Sequence, residues 1–491
     1  MPRELHSPPI ARDTTSSGIP TGDEAVWTIQ FSVRLQNDEE PDDVFEIDVT
    51  EYMDEWPGLE RWEGDVRDLG FRAMREMFAG GFLLRERTLL RTWTHLDDDC
   101  HLVRRGRLPV TLTSTVGKVR VDRQRLFCKR CKEWLTPLNE ELGLHQTGNG
   151  RATRGFREML CLCGSKQPYR QAQQMLGMIT QEPKVTSMKQ VHLTVGREGS
   201  RLRTAEDEKY TTVSSQLVRD VQDRNPLPDP IDGVLYIVVD GIWVRSYPGG
   251  GRWREGKVAR ICTEEREAVG RKGRQRVVDS RYVSSFMPVD VFSERVWVDA
   301  MRMGYGSRKQ TIVLGDGARW IPSMRRRYFP KGVYVLDWFH LRRKVAQTFR
   351  RVFPEKSPRR VRWYLEIRSD LWEGRKEEAV DKLQQLHDDI SAQARMKNPI
   401  ASQGRDALAD LLGYLDNNWQ GVIDYGRWRD AGHMVASSLV EKAGDLVVAK
   451  RQKKRQGMHW GRDGSEAVSA LRTLWLNDDW EEYWKPSHRA A

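Results

Sequence analysis

The stretch GVLYIVVDG, residues 233–241, is a continuous apolar run that contains the acid Asp240 near its end. An unbroken run of this kind is typical of a strand that is buried on both faces of a sheet. The runs TIVLGDG, residues 311–317, and VYVLDWFH, residues 333–340, repeat the pattern, and the first of these two leads into Asp316. The sequence therefore predicts three buried strands, and Asp240 and Asp316 lie at the ends of the first two.

Strand and helix signals around these runs predict the order of the elements. KVARICT, residues 257–263, and RYVSSFM, residues 281–287, are two further strand candidates. Residues 290–304 and 319–328 have helical periodicity, and a third helix is expected from Leu341 onward. The resulting order β-β-β-α-β-α-β-α indicates a mixed sheet flanked by helices.

Shifts in composition and periodicity along the chain predict a multidomain α/β protein. The first residues are rich in Pro, Ser, Thr and Gly, which favours disorder. The predicted regions are a disordered tail (1–25), an α+β region (26–150), a helical region (151–222), the mixed-sheet core (233–357), a helical insertion (358–430) and a C-terminal part (431–491).

The helical region 151–222 contains the segments RATRGFREML, PYRQAQQMLGMI and KVTSMKQVHLTVGREG. Their order is similar to a helix-turn-helix, in which the last helix would direct Lys189, Gln190 and His192 to a major groove. Three helices that only pack the N-terminal half of the protein are the alternative. The pattern leaves both interpretations open.

The charge distribution favours a polyanionic partner. The 491 residues include 81 Lys and Arg against 70 Asp and Glu, a formal net charge of +11. Seventeen basic and five acidic residues lie between 317 and 376, and the basic run KRQKKR occupies 450–455. Clustered cations of this kind suit the phosphate backbone of a nucleic acid, although a solvated helical face gives the same pattern.

Other classes of protein fit the composition poorly. No apolar run approaches the roughly 18 residues of a membrane span. The N-terminus has no apolar segment typical of a secretory signal. Six cysteines in 491 residues are too few for a disulfide scaffold. We therefore expect a soluble, cytosolic protein.

Asp240 and Asp316 are the first candidates for chemistry. If their strands are adjacent, the two carboxylates lie on one rim of the sheet, where they repel each other unless a divalent cation lies between them. The alternative is that both aspartates cap the turns that follow. A third acid, Glu441, lies beside the apolar face of a predicted helix, and Asp445 and Glu466 compete with it for this role.

Cys128 and Cys131 form a CxxC knuckle at the end of a predicted strand. Cys100 lies upstream, with His95 and His101 nearby, so a zinc site would combine the three cysteines with one of the two histidines. The alternative is a turn that packs without a metal.

Several of these motifs resemble one family. VVDG, LGDGARW, VLDWFH and SSLVEKAG, followed by GSEAVSALRTLW, are similar to bacterial insertion-sequence transposases of the ISKra-type group and its ISLre-type neighbour, over about residues 90–485. The resemblance implies a DDE enzyme with a ribonuclease-H-like core. It implies Asp240, Asp316 and Glu441 as the catalytic and metal-binding acids, with two Mg²⁺ or Mn²⁺ ions. The segment ASSLVEKA departs from the family pattern in lacking its glycine.

The resemblance also implies auxiliary residues, and the basic clusters give the expected DNA contacts. Asp337 and His340 match a D-x-x-H pattern of related transposases and would lie at the same rim, although a histidine packed between Trp338 and Phe339 is the alternative. The helical insertion fits one that such cores carry. The expected DNA-contacting residues are Arg319, Arg325, Arg326, Arg342, Arg343, Lys450, Arg451, Lys453, Lys454 and Arg455.

Together these features predict a DNA transposase that binds terminal inverted repeats, cleaves DNA strands and transfers them to target DNA as a homo-oligomer on the bacterial nucleoid. Two alternatives remain from the sequence. One is a non-catalytic DNA-binding protein derived from such an enzyme, and the other is a metal-dependent nuclease without strand transfer.

Overall fold

The computed structural model describes residues 27–37, 40–53, 58–93, 100–141, 151–222, 231–247, 253–267, 274–394, 399–454 and 458–485. The predicted disordered tail, residues 1–25, lies outside these ranges. The chain forms two compact units, residues 1–159 with 173–187 and residues 160–172 with 188–491. The finer division into six regions stays a prediction.

The first unit combines a β-hairpin, a long helix and a small antiparallel sheet. Its elements are β1 (Trp27–Asn37), β2 (Glu40–Met53), α1 (Leu59–Thr92), β3 (Leu102–Ser114), β4 (Gly117–Cys128), β5 (Trp134–Leu135) and α2 (Pro137–Glu141). β1 pairs with β2, and the sheet has the order β3-β4-β5. Apolar residues of β3 and β4 alternate with polar ones and pack as one buried cluster with Leu138.

Three helices follow, as the sequence predicted: α3 (Arg154–Lys166), α4 (Tyr169–Ile179) and α5 (Met188–Gln222). α5 is 35 residues long and extends well past the segment expected for a recognition helix. Lys189 and His192 are exposed on it, while Gln190 is half-buried. A DNA contact by these residues stays a prediction.

The second unit is built on a five-stranded mixed sheet. Its strands are β6 (Ile231–Arg245), β7 (Trp253–Glu267), β8 (Arg274–Ser285), β9 (Arg308–Gly315) and β10 (Val333–Leu336). The spatial order is β10-β9-β6-β7-β8, in which β6, β7 and β8 form an antiparallel meander and β9 and β10 run parallel to β6. The predicted mixed sheet and its order of strands and helices are confirmed.

Both faces of this sheet are covered, which explains the unbroken apolar run in β6. Leu235, Ile237 and Val239 pack on one face with α6 (Val289–Arg302) and α7 (Trp320–Tyr328). The intervening residues, including Val238, pack on the other face with α8 (Trp338–Val352). Because successive side chains of a strand point to opposite faces, a strand covered on both sides needs an apolar residue at every position. Burial of each such side chain is worth about 1.5–3 kcal/mol.

Helices complete the second unit. They are α9 (Pro358–Trp372), α10 (Lys376–Ala394), α11 (Pro399–Asn417), α12 (Tyr425–Asp430), α13 (Ser438–Gly444), α14 (Lys450–Gln452), α15 (Arg462–Leu476) and α16 (Trp480–Trp484). The helical character expected from residue 358 to about residue 428 is confirmed. A π-helical segment of five residues, Asp445–Ala449, joins α13 to α14. Among the described helices, none is both long and apolar enough to span a membrane.

Candidate active site

The register of the sheet brings Asp240 and Asp316 together. The last parallel pair between β6 and β9 joins Val239 to Gly315, so the two aspartates are the next residue on each strand. Asp240 was expected at the end of its strand, but β6 continues to Arg245 and pairs there only with β7. The pairing of β6 with β9 ends at Val239, one residue before Asp240. Asp240 and Asp316 therefore lie at the edge of the sheet where these two strands separate.

The electrostatics of Asp240 identify its neighbours. Burial, the charge of Asp316 and the charge of Glu441 raise the pKa of Asp240 to about 7, against the opposing effects of His340 and the Gly241 N–H group. The charges of the other two acids that the sequence and the resemblance selected therefore act on Asp240 in the fold. A carboxyl with this environment is costly to ionise unless a cation compensates its charge.

A hydrogen-bonded turn holds Asp316. Its Oδ1 accepts a hydrogen bond from the Ala318 N–H at 3.0 Å, so the turn-capping role that the sequence left open is present. Gly317 has φ of +88°, and a Cβ there would lie 2.7 Å from the Tyr414 ring. The Tyr414 hydroxyl donates to the Asp316 carbonyl at 2.7 Å, and the Asn418 side chain donates to the Gly317 carbonyl at 3.2 Å.

Sequence reasoning missed Tyr414 and Asn418. Both come from α11 and the turn after it, in the helical insertion, and both fix the backbone on which Asp316 is carried. Tyr334 on β10 in turn donates to the Asn418 side-chain oxygen at 2.7 Å. No local motif marks these residues, because their partners are backbone atoms distant in the sequence.

Glu441 lies on α13, which packs against β6 and β7. Val440 and Ala443 are fully buried in the core that includes β6, whereas Glu441 is exposed. The segment that leads into this helix is tied to the start of α8. The Trp338 N–H donates to the Val435 carbonyl at 2.9 Å, and Asp337 accepts a hydrogen bond from the Ser437 N–H.

The competing acids have other partners. The Asp445 carboxylate lies 2.6 Å from the Lys454 ammonium group. Glu466 is buried, forms ion pairs with Arg203 and Arg295, both at 3.0 Å, and accepts a hydrogen bond from the Phe286 N–H at 2.6 Å. These bonds engage Glu466 in packing α15 against α5 and α6, whereas Glu441 is among the groups whose charge acts on Asp240.

Asp337 and His340 form a hydrogen-bonded pair beside the acids. Asp337 is 1% exposed and caps α8 by accepting from the His340 N–H at 2.6 Å, and its Oδ1 lies 3.1 Å from His340 Nδ1. Burial raises the pKa of Asp337, but its hydrogen bonds with His340 and Ser437 outweigh this and lower it.

His340 faces the acidic rim. The hydrogen bond to Asp337 and the charges of Asp337, Asp316 and Asp240 raise the pKa of His340, although burial opposes them. The imidazole is half-buried rather than enclosed between Trp338 and Phe339, and Phe339 itself is 46% exposed. The pair therefore places a cation-forming group next to the acids.

The acids fit the divalent cations that the resemblance implies. Carboxylate oxygens are the ligands that Mg²⁺ and Mn²⁺ prefer, and mutual repulsion of the kind seen at Asp240 is what a cation relieves. Among the described residues, only one group has three ligand atoms all within 4.8 Å of one another, and it is the cysteine group. The three carboxylates are therefore spread more widely than the ligands of a single closed site.

The cysteine group consists of Cys100, Cys128 and Cys131. The Cys100 and Cys131 sulfur atoms are 3.6 Å apart, close to the spacing of about 3.8 Å that tetrahedral Zn–S bonds require. The Cys131 N–H donates to the Cys128 sulfur at 3.4 Å and lowers the pKa of Cys128. His101 is exposed and is not part of this group, and His95 lies outside the described residues.

The expected DNA-contacting residues differ in exposure. The prediction that Arg451 contacts DNA is wrong, because this side chain is 1% exposed. Arg451 donates to the Gly164 carbonyl at 3.0 Å and lies over the Tyr169 ring at 4.7 Å. Arg325 is half-buried and donates to the Gly332 carbonyl at 2.7 Å, and Arg342 is half-buried. Arg455 lies outside the described residues. The exposed members are Arg319, Arg326, Arg343, Lys450, Lys453 and Lys454.

Comparisons with known proteins place the chain in a family. The profile of an uncharacterised protein family, UPF0236, matches residues 97–481. The UPF0236 protein in the vanSb 3′ region of Streptococcus gallolyticus is 24% identical over 387 residues, which cover 77% of this chain and 75% of that protein. A solved structure, the Drosophila P element transposase strand transfer complex, is 12% identical with a TM-score of 0.26, covering 68% of this chain and 95% of that chain. At this TM-score the likeness supports no statement about the fold or the function.

Proposed function

Because this chain belongs to the uncharacterised protein family UPF0236, we propose its function from the site itself: a DNA transposase that cleaves and transfers strands through Asp240, Asp316 and Glu441. The observation that carries the proposal is the register of β6 and β9, which makes Asp240 and Asp316 neighbours at one edge of the sheet, and the charge of Glu441 also acts on Asp240. The motifs LGDGARW and VLDWFH, which resemble DDE transposases, frame the second acid and the D-x-x-H pair.

The topology of the sheet supports a ribonuclease-H-like core. Three antiparallel strands followed by two parallel ones, in the order β10-β9-β6-β7-β8, give the arrangement expected of that fold. In such a sheet the first strand and the fourth are neighbours, so the acids that follow their apolar runs share one rim. Helices α9 to α12 take the place of the helical insertion and reach the Asp316 turn through Tyr414.

Asp240, Asp316 and Glu441 would hold the divalent cations. When bound, such ions activate an attacking water or 3′-hydroxyl group and neutralise the leaving oxygen of a phosphodiester. Asp240, whose pKa is raised to about 7, would give up its proton to act as a ligand of such a cation. His340, with its raised pKa and its partner Asp337, would donate a hydrogen bond to the DNA phosphate next to the acids.

The exposed cations around the rim would hold the DNA. Arg319 and Arg326 belong to the region of α7, which follows the Asp316 turn, and Arg343 lies on α8 three residues after His340. Phosphate contacts of this kind position a duplex without reading its sequence. Recognition of the terminal repeats is assigned to the N-terminal half, synapsis of two ends to a homo-oligomer, and zinc to the three cysteines.

Strand transfer by purified protein tests the proposal. The substrate is a labelled duplex that carries the inverted repeat flanking the gene, together with target DNA and Mg²⁺. Joined products are expected from the wild-type protein and are absent from Asp240→Asn, Asp316→Asn and Glu441→Gln. Asp445→Asn is the matched control, because this acid lies four residues from Glu441 and is paired with Lys454.

The other outcomes identify the alternatives. Cut ends without joined products would assign a metal-dependent nuclease. Bound, intact duplex with every variant, including the wild-type protein, would assign a DNA-binding protein without catalysis. Wild-type activity in Asp240→Asn would overturn the assignment of the site.

A further inference from the structure

We propose that the cavity beside the start of α8 binds one unstacked nucleotide, with its base against the aromatic side chains and its phosphate against the arginines. The cavity has a volume of about 650 Å³, within the range of about 300–1,000 Å³ typical of small-molecule sites. Where the nucleotide is part of DNA, this inference rests on the proposed function. The residues that carry the argument are Trp338, Phe339, Arg342, Arg368, Trp372 and Arg429.

A packed group of aromatic rings forms one wall. The Trp338 ring lies 4.8 Å from that of Trp372 and 4.9 Å from that of Tyr425, and Trp372 stacks on Tyr425 with an interplanar angle of 18°. Trp338 and Tyr425 are buried, so the group cannot rearrange freely, while Trp372 reaches the cavity. Phe339 adds a ring that is 46% exposed and therefore accessible for stacking on a base.

Three guanidinium groups surround these rings. Arg342 lies 5.2 Å from the Phe339 ring centroid and Arg429 lies 4.9 Å from that of Trp372. Within the described part of the chain, neither Arg342 nor Arg368 has a carboxylate within 4.0 Å, and Arg429 has only the exposed Asp430 at 3.5 Å. Guanidinium groups bind phosphate through two parallel hydrogen bonds and stack on flat rings. The cavity therefore offers a flat apolar surface and excess positive charge, which together match a nucleotide.

The position of the cavity connects it to the acids. Phe339 lines the cavity, and the next residue, His340, faces Asp240 and Asp316. Val435, which also lines the cavity, accepts the hydrogen bond from the Trp338 N–H in the segment that leads to α13 and Glu441. A nucleotide held here would be a close neighbour of the phosphate at the acids. The expected source is a base that leaves the duplex next to the cleavage point, and a free mononucleotide is the second source.

Binding measurements that need no cleavage test this inference. Fluorescence anisotropy would compare a fully paired duplex with the same duplex carrying one unpaired nucleotide at the end of the repeat. The wild-type protein is expected to prefer the unpaired form by about tenfold, in keeping with the stacking of one base on an aromatic ring. Phe339→Leu and Arg368→Gln are expected to reduce this preference to less than about twofold. Both side chains lie at the surface, so the variants are expected to fold.

Arg362→Gln is the matched control. Arg362 is exposed on α9 with Arg368 but does not line the cavity, so its loss lowers the affinity for both duplexes and leaves their ratio unchanged. An equal affinity of the wild-type protein for both duplexes, or a preference that survives Phe339→Leu, would overturn the DNA form of the inference.

Competition identifies the source. Adenosine monophosphate is added as a competitor to both duplexes. If it displaces only the duplex with the unpaired nucleotide, and only from the wild-type protein and not from Arg368→Gln, free nucleotides bind in the same cavity. Loss of strand joining with a retained preference for the unpaired nucleotide would contradict the proposed function but leave the cavity inference standing. Normal strand joining without a preference for the unpaired nucleotide would support the proposed function and contradict the cavity inference.

Discussion

Asp240 and Asp316 lie side by side because Val239 and Gly315, the residues before them, form the last parallel pair between β6 and β9. The pairing ends there while β6 continues along β7, so two carboxylates meet where the sheet opens. This register leaves Asp240 half-buried, and the charges of Asp316 and Glu441 act on it. Their arrangement is the source of the first two predictions.

Removal of any of the three acids is expected to lower DNA cleavage by at least about 100-fold, the effect of losing one group that stabilises charge in a transition state. Asp240→Asn, Asp316→Asn and Glu441→Gln preserve the size of each side chain. Duplex affinity, measured by anisotropy, is expected to stay within about threefold of the wild-type value, since the exposed cations supply most of it. Activity within twofold of wild type in any one variant would remove that acid from the site.

Asp240→Asn is expected to stabilise the metal-free protein as the pH rises. The folded-state pKa of Asp240 is raised to about 7 from 3.8, so the folded protein binds the proton more tightly than the unfolded chain. The contribution of this carboxyl to stability is therefore present below pH 4 and is lost as the pH rises to about 7. Asn has no such loss, and the difference reaches up to about 4 kcal/mol above pH 7.

Thermal unfolding in chelator between pH 5 and pH 8 measures this difference. The melting temperature of Asp240→Asn is expected to exceed that of the wild type by an amount that grows with pH. Addition of Mg²⁺ should raise the melting temperature of the wild type and leave the variant nearly unchanged. A constant difference across this pH range would show that Asp240 does not carry the raised pKa.

Asp337→Asn is expected to lower the pKa of His340. The hydrogen bond between their side chains is the largest cause of the raised pKa, and an amide provides no charge to stabilise an imidazolium group. Protonated His340 contributes stability to the wild-type protein below pH 6.5, and this contribution is lost as the pH rises through the raised pKa of His340. Because the pKa is lower in Asp337→Asn, the variant loses the contribution at a lower pH than the wild type.

Titration of the His340 ring by NMR measures this shift directly. His387→Gln is the control, since His387 lies next to Asp388 on α10, away from the acids, and its removal should leave the His340 titration unchanged. An unaltered titration of His340 in Asp337→Asn would contradict the role given to this pair.

Tyr414→Phe is expected to reduce cleavage by about fivefold to twentyfold, with a loss of roughly 1 kcal/mol of stability for one buried hydrogen bond. The hydroxyl holds the Asp316 carbonyl, so its removal loosens the turn that carries the second acid. Tyr247→Phe, at a side chain that is 65% exposed, provides the matched control. Cleavage rates and urea unfolding together separate the two effects, and unchanged cleavage would limit Tyr414 to a structural role.

One zinc ion per chain is expected in protein purified without chelator, bound by Cys100, Cys128 and Cys131. Cys128→Ser should lose the metal and destabilise the first unit, because Cys128 ends β4 and is fully buried. Cys262→Ala, a buried cysteine on β7, should retain it. Metal content by elemental mass spectrometry measures both, and equal zinc in the two variants would exclude the cysteine site.

Local patterns predicted the sheet well. Apolar runs marked β6, β9 and β10 because burial on both faces leaves no room for polar residues, and this requirement is visible in each strand by itself. The same runs pointed to Asp240 and Asp316. The strand order that makes the two aspartates neighbours involves segments far apart in the chain. The sequence alone therefore predicted only that the carboxylates would be close if their strands were adjacent.

The C-terminal part depended on tertiary contacts. Glu441 and Glu466 both lie on amphipathic helices, and helical spacing does not separate them. The tertiary structure distinguishes their surroundings, since Glu466 is enclosed by Arg203 and Arg295 while Glu441 is exposed. Arg451 shows the same limit, because its place in a basic run predicted exposure but the Gly164 carbonyl and two aromatic rings enclose it.

The sequence by itself determined which segments form strands and helices, which acids follow buried strands, and that the chain carries excess positive charge. These properties depend on residue type and short-range periodicity. Only the tertiary structure decided that the charge of Glu441 acts on Asp240, how Tyr414 and Asn418 hold the Asp316 turn, and which arginines surround the cavity at Phe339. The physical reason is that these contacts join segments far apart in the chain, whose distances are set by the packing of whole helices and not by any local pattern.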